Sequence, residues 1–183
     1  MGHLMQGLGP AFLYDDRQNP LNPGPSRYAS ISLTYFEDHL GDNHDFVRLH
    51  TDLRRYLSVG QHSILATQLL TQLNYGEVPF RLLPELGGHR LMRGYYEGRY
   101  RDRHYMALQS ELRMPLVGRL GLVVFGAGGA IGQQLSFHTS QLKGAFGAGL
   151  RFKYNRKQNV NVRLDYGISS EMHGFYIILG EAF

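Results

Sequence analysis

At 183 residues the chain is long enough for one domain with a real core. Its 19 Lys and Arg against 15 Asp and Glu give a formal charge of +4, and no run of bases is long enough to mark a nucleic-acid footprint. The absence of Cys excludes disulfide staples, thiolate nucleophiles and Cys-ligated metals.

Gly is abundant at 23, Tyr and Phe number 12 and 10, and Trp is absent, a balance that favours strands over helices. The opening MGHLMQGLGPAF lacks the basic start and apolar core of a secretory signal, so the expectation is a mature start or a piece of a larger precursor. No apolar stretch approaches the ~20 residues of a transmembrane helix.

Period-two alternation then runs along the chain. Between Tyr28 and Phe36, Ile31, Leu33 and Tyr35 share one face, opposite Ser30, Ser32 and Thr34. Val47, Leu49, Leu53 and Leu57 oppose Arg48, His50, Asp52 and Arg54. Leu65, Leu69 and Leu73 oppose Gln68 and Gln72. Met106, Leu108, Leu112, Met114 and Leu116 oppose Tyr105, Gln109, Glu111 and Arg113. Val160, Val162, Leu164, Tyr166 and Ile168 oppose Asn161, Arg163, Asp165 and Gly167. The last segment puts Phe175, Ile177, Leu179 and Phe183 on one face. These patterns predict about nine strands, at 7–16, 26–37, 45–58, 62–75, 103–116, 119–131, 143–154, 159–168 and 173–183.

Alternation alone fits both a soluble sandwich and a transmembrane barrel, because each has one apolar and one polar face. Three features favour the barrel. The predicted strands exceed the ~5–6 residues usual in globular proteins and match the ~9–11 needed to cross a bilayer at a tilt. Short turns such as SVGQ and LVGR alternate with long polar connections. The chain also ends in an aromatic residue in phase with the apolar face.

The stretch LVVFGAGGAIG (122–132) looks like a dinucleotide-binding turn, which needs a helix after it and an acidic residue ~20 positions on. Further glycines interrupt the segment after Gly132, and the next acidic residue is Asp165. The glycines are better read as permitting sharp curvature of a strand, or as room in it for another backbone or a loop. Catalytic alternatives draw on His50, His62, His89, His104 and His138, with Ser63 and Ser136. His62 and Ser63 are neighbours that a strand sends to opposite faces, and neither HExxH nor GxSxG occurs. No enzymatic activity, metal or cofactor is expected.

The loop sequence GGHRLMRGYYEGRYRD, with the strand YMALQSELRMPL after it, resembles the BamA-like outer-membrane translocator superfamily (bacterial surface antigen family). Leu91-Met92-Arg93-Gly94-Tyr95 occupies its Arg-Gly-aromatic motif. Four further stretches match in order: Tyr14-Asp15-Asp16-Arg17-Gln18-Asn19-Pro20, Glu111-Leu112-Arg113-Met114-Pro115-Leu116, Gly147-Ala148-Gly149-Leu150-Arg151 and Arg163-Leu164-Asp165-Tyr166.

The resemblance implies an all-β, transmembrane antiparallel barrel in the bacterial outer membrane, with the 76–102 loop folded into the lumen. It also implies a single domain over 1–183, corresponding to the C-terminal half of a 16-stranded barrel, with no POTRA domain in the chain. Partners would be outer-membrane lipid and lipopolysaccharide, unfolded or membrane-protein clients and another chain completing the barrel, with no nucleic acid. A lumenal arginine needs an acceptor. Glu111 and Asp165 face the lumen on the alternation, so Arg93 is expected to pair with one or both. The family often has an Asp at the position of Ala127, which removes that partner here. Gly94 allows a backbone turn, and Tyr95 can pack on the lumen wall. Phe175, Ile177, Leu179, Gly180 and Phe183 resemble the terminal sorting strand, at a seam that Gly180 would weaken. The rival readings are a small structural barrel or adhesin, and a barrel hydrolase or acyltransferase.

Overall fold

The computed structural model describes residues 5–38, 45–134, 142–155 and 159–183. The main sheet is wholly antiparallel and runs in sequence order. Its strands are β1 (Met5–Leu8), β2 (Ala11–Asp15), β3 (Ser26–Asp38), β4 (Phe46–Val59), β5 (Ser63–Gly76), β8 (His104–Pro115), β9 (Leu120–Gly132), β10 (Leu142–Asn155), β11 (Val160–Ser169) and β12 (His173–Leu179). Between β5 and β8, a small hairpin of β6 (Glu85–Leu86) and β7 (Tyr100–Arg101) stands apart. No α-helix occurs among the described residues.

β1 and β2 lie end to end on β3 in one unbroken register, Leu8 opposite Tyr35 and Ala11 opposite Ser32. Pro10 interrupts them because it has no N–H to give, although its carbonyl still accepts from the Leu33 amide at 3.1 Å. The predicted strand 7–16 is therefore a broken edge strand. Among the described residues the sheet is open: β1/β2 at one end and β12 at the other have no strand partner across the gap. Antiparallel order makes these two edges run in the same direction. β12 can meet an antiparallel neighbour on β3 only where β1/β2 is displaced.

The two faces are inverted relative to a water-soluble protein. Leu33, Leu108, Phe146, Phe175, Ile177 and Leu179 lie exposed on the outer face, the last two at 67% and 65%. Asp52, Gln68, Gln109, Glu111, Arg113, Arg151, Arg163 and Asp165 are buried on the inner one. Burying so many charges is tolerable only with mutual pairing, and the inner face is where that pairing occurs.

The terminal segment departs from the expected strand 173–183. β12 stops at Leu179, and Gly180 takes φ +86, a conformation that suits glycine. Its amide donates to the Asn161 carbonyl at 2.8 Å, and the Glu181 amide donates to the Leu21 carbonyl at 3.0 Å. Ala182 and Phe183 then turn inward and pack, buried, against Tyr56 and Ala66. Phe183 thus sits inside, not on the apolar outer face. The alternation was in phase, but the turn at Gly180 breaks it.

Candidate functional site

The connection from β5 to β8 carries the site. The β6–β7 hairpin, clasped by Arg101 and Glu85 at 2.6 Å, sends its tip against the inner face of the sheet. Getting there requires sharp turns: Gly87, Gly88, Gly94 and Gly98 all have positive φ, and Met92 is left-handed at φ 54. Leu86, Leu91, Met92 and Tyr95 at the tip form a buried apolar cluster with Tyr105, Ala107 and Ala145 of the wall.

Arg93 lies at the centre and is 1% exposed. Its Nη2 donates to Glu111 Oε2 at 2.7 Å and its Nη1 to Asp165 Oδ2 at 2.6 Å. The guanidinium also stacks 3.6 Å above the Phe125 ring, so one planar group is held at its edges by carboxylates and on a face by an aromatic ring. The structure therefore brings Arg93, Glu111 and Asp165 together. Gly94 gives its amide to the Tyr176 hydroxyl at 3.0 Å, and Ser169 Oγ donates to the Gly94 carbonyl at 3.3 Å. The Tyr95 hydroxyl meets Ser170 Oγ at 3.2 Å. Phe175, Ile177 and Leu179 lie on the opposite face of the sheet from this cluster, and Gly180 and Phe183 lie beyond its last strand.

The space for the loop comes from β11, and the space for its carboxylate partner Asp165 from β10. A Cβ at Gly167 would stand 2.6 Å from the Arg93 carbonyl carbon, and one at Gly149 would stand 2.0 Å from Asp165 Oδ1. In the stretch LVVFGAGGAIG, Gly126 and Gly128 have open surroundings on the outer face. Gly129 meets the loop, where a Cβ would be 3.3 Å from Leu86 Cδ1. That stretch also supplies the aromatic floor, Phe125, which sequence reasoning missed. The alternation that placed Glu111 inward places Phe125 inward as well, but a ring–guanidinium contact has no sequence spacing of its own.

A second tier of charge surrounds Arg93. Arg113 donates to Glu111 Oε1 at 2.7 Å and to the Phe183 main-chain oxygen at 3.0 Å. Arg151 bridges Asp165 at 2.5 Å and Glu181 at 2.7 Å. Arg163 stands 3.6 Å from Asp165 and donates to the His89 carbonyl at 2.7 Å. Four guanidiniums thus share three carboxylates, and Arg93 Nε, Arg113 Nη1, Arg151 Nη2 and Arg163 Nε and Nη1 have no hydrogen-bond partner among the described residues. A neutral relay extends the other way: Gln109 Nε2 donates to the Arg90 carbonyl and to Gln68, and Gln68 donates to Asp52.

At the opposite, long-loop end, the Tyr100 hydroxyl donates to Glu171, with Arg99 at 3.1 Å and Lys143 at 3.4 Å. These donors, the Tyr100 hydroxyl foremost, hold the Glu171 carboxyl down at about 2. The base of the loop is therefore tied to the β11–β12 turn throughout the neutral range.

This arrangement positions a loop. The arginines face carboxylates, and no group of three or more metal-ligating side chains occurs among the described residues. Of the histidines that could serve as bases, His104 accepts from the Asn74 amide at 3.3 Å, and His138, with Ser136, lies outside the described residues.

Two comparisons bear on this geometry. The family model for the Omp85 superfamily domain matches residues 4–183. A search of curated proteins finds no match.

Proposed function

The chain belongs to the Omp85 superfamily, and from that membership we propose that it is an outer-membrane β-barrel protein that inserts or translocates polypeptides, with its 76–102 loop clamped in the lumen by Arg93. Members of the family are outer-membrane proteins that handle membrane-protein clients. The observation that carries the reading is Arg93 itself. A buried guanidinium shared between carboxylates of β8 and β11 gives the loop a fixed seat on the inner wall.

The inverted faces support the membrane setting, because in lipid the apolar face belongs outside and the polar face inside. Exposed sheet edges are costly in hydrocarbon, so the open sheet supports a larger ring completed by another chain. An eight-stranded barrel has an interior filled by side chains alone, whereas here the inner wall also accommodates Leu86, Met92, Arg93 and Tyr95 of a loop. On this reading the chain is one barrel domain, the C-terminal half of a complete ring. It sits among lipid and lipopolysaccharide, works without bond chemistry and binds no nucleic acid.

Reconstitution tests it. Vesicles bearing the assembled protein should fold an added, urea-unfolded outer-membrane protein several-fold faster than empty vesicles, read by heat-modifiable gel mobility. Equal rates would reduce the chain to a structural barrel.

A further inference from the structure

The short-turn end of the sheet holds a cavity of about 370 Å³, within the size range of small-molecule sites. Its polar lining includes Arg113, Arg119, Arg151, Lys153, Asn161 and a single carboxylate, Glu181. Glu181 is already committed: it accepts from Arg151 Nε and Asn161 Nδ2, each at 2.7 Å. Arg119 and Lys153 have no ion-pair partner among the described residues. Arg113 and Arg151 are 7% and 4% exposed, and each keeps one guanidinium nitrogen without a hydrogen-bond partner among the described residues.

The charge count sharpens this. The buried network has Arg93, Arg113, Arg151 and Arg163 against Glu111, Asp165 and Glu181, and Arg119 and Lys153 add two more cations at the mouth. Six cations therefore face three carboxylates. Partly buried cations in such excess favour an anion that accepts several N–H bonds at once. Tetrahedral phosphate oxygens suit converging guanidinium forks and an ammonium. The cavity also reaches Met114, Leu120 and Leu122, residues of the outer-face register, so it opens where charged and apolar surfaces meet.

We propose that this cavity binds a phosphate group, with Arg119 and Lys153 as the capturing pair and Arg113 and Arg151 behind them. The group comes either from an anionic phospholipid of the adjacent leaflet or from free phosphate. The lipid source rests on the membrane reading above, and the phosphate chemistry does not.

The test uses the full chain, refolded in a zwitterionic detergent. Inorganic phosphate is titrated while ³¹P line width is followed, and retention of phosphatidylglycerol against phosphatidylcholine is measured by native mass spectrometry after vesicle reconstitution. Saturable phosphate binding is expected. The double variant Arg119→Gln/Lys153→Gln should weaken it roughly twenty-five-fold, about fivefold for each charge removed, while Arg119→Lys retains it. Both substitutions lie at the rim, outside the buried network, and circular dichroism checks that the sheet is intact. Preferential phosphatidylglycerol retention that the double variant loses makes lipid the source. Phosphate binding without lipid preference keeps the site and overturns the lipid source. Absence of binding by either probe, or equal binding by wild type and the double variant, overturns the site.

Discussion

Arg93→Ala should free the loop while leaving the strands folded. Each of its two bonds to a carboxylate is a charge-assisted hydrogen bond worth about 1.5–3 kcal/mol, so docking weakens by about 3–6 kcal/mol. At a tenfold change per 1.4 kcal/mol, protease cleavage within residues 87–99 should rise about a hundredfold or more. The sheet itself should survive, because the substitution takes a cation from a cluster that has one too many: Arg113, Arg151 and Arg163 remain to face Glu111, Asp165 and Glu181. Arg93→Lys should rescue little, since one ammonium cannot present a planar fork to two carboxylates and a ring. A loop that stays as protected in Arg93→Ala as in wild type would remove Arg93 as the clamp.

Asp165→Asn should do the opposite, damaging the wall more than the loop. Asp165 is fully buried and touches Arg93, Arg151 and Arg163 at 2.6, 2.5 and 3.6 Å. Its loss leaves four guanidiniums around two carboxylates. Removing one partner from a buried ionic set costs about 3–5 kcal/mol, so the denaturant midpoint of the whole sheet should fall. The two substitutions should then couple. Adding Arg93→Ala to Asp165→Asn relieves one uncompensated cation, and the double variant should be more stable than the sum of the singles predicts, by about 1 kcal/mol or more. Simple additivity would show that the network does not share its charge.

Much of this was legible in the sequence because a strand's alternation fixes which residues share a face. That rule put Glu111, Arg113, Arg163 and Asp165 on one side, and the observed register keeps them there. What it could not read were features that depend on a neighbour or a single dihedral. Phe183 kept the phase of Phe175, Ile177 and Leu179, yet φ +86 at Gly180 turned it inside. The glycines of LVVFGAGGAIG looked like the room for the loop, but the closest backbone approach falls on Gly167, one residue after Tyr166 in a different motif. Which glycine meets a loop is set by where the loop lands, and the loop lands where its carboxylates are.

The central claim is which face meets lipid. The chain has no Trp, so single-Trp variants report one site each. In vesicles with brominated acyl chains, Ile177→Trp and Leu33→Trp on the outer face should be strongly quenched, while Ser32→Trp, one residue away on the inner face, should be nearly unaffected. Equal quenching at positions 32 and 33, or a chain that stays folded and monomeric in plain buffer, would contradict it.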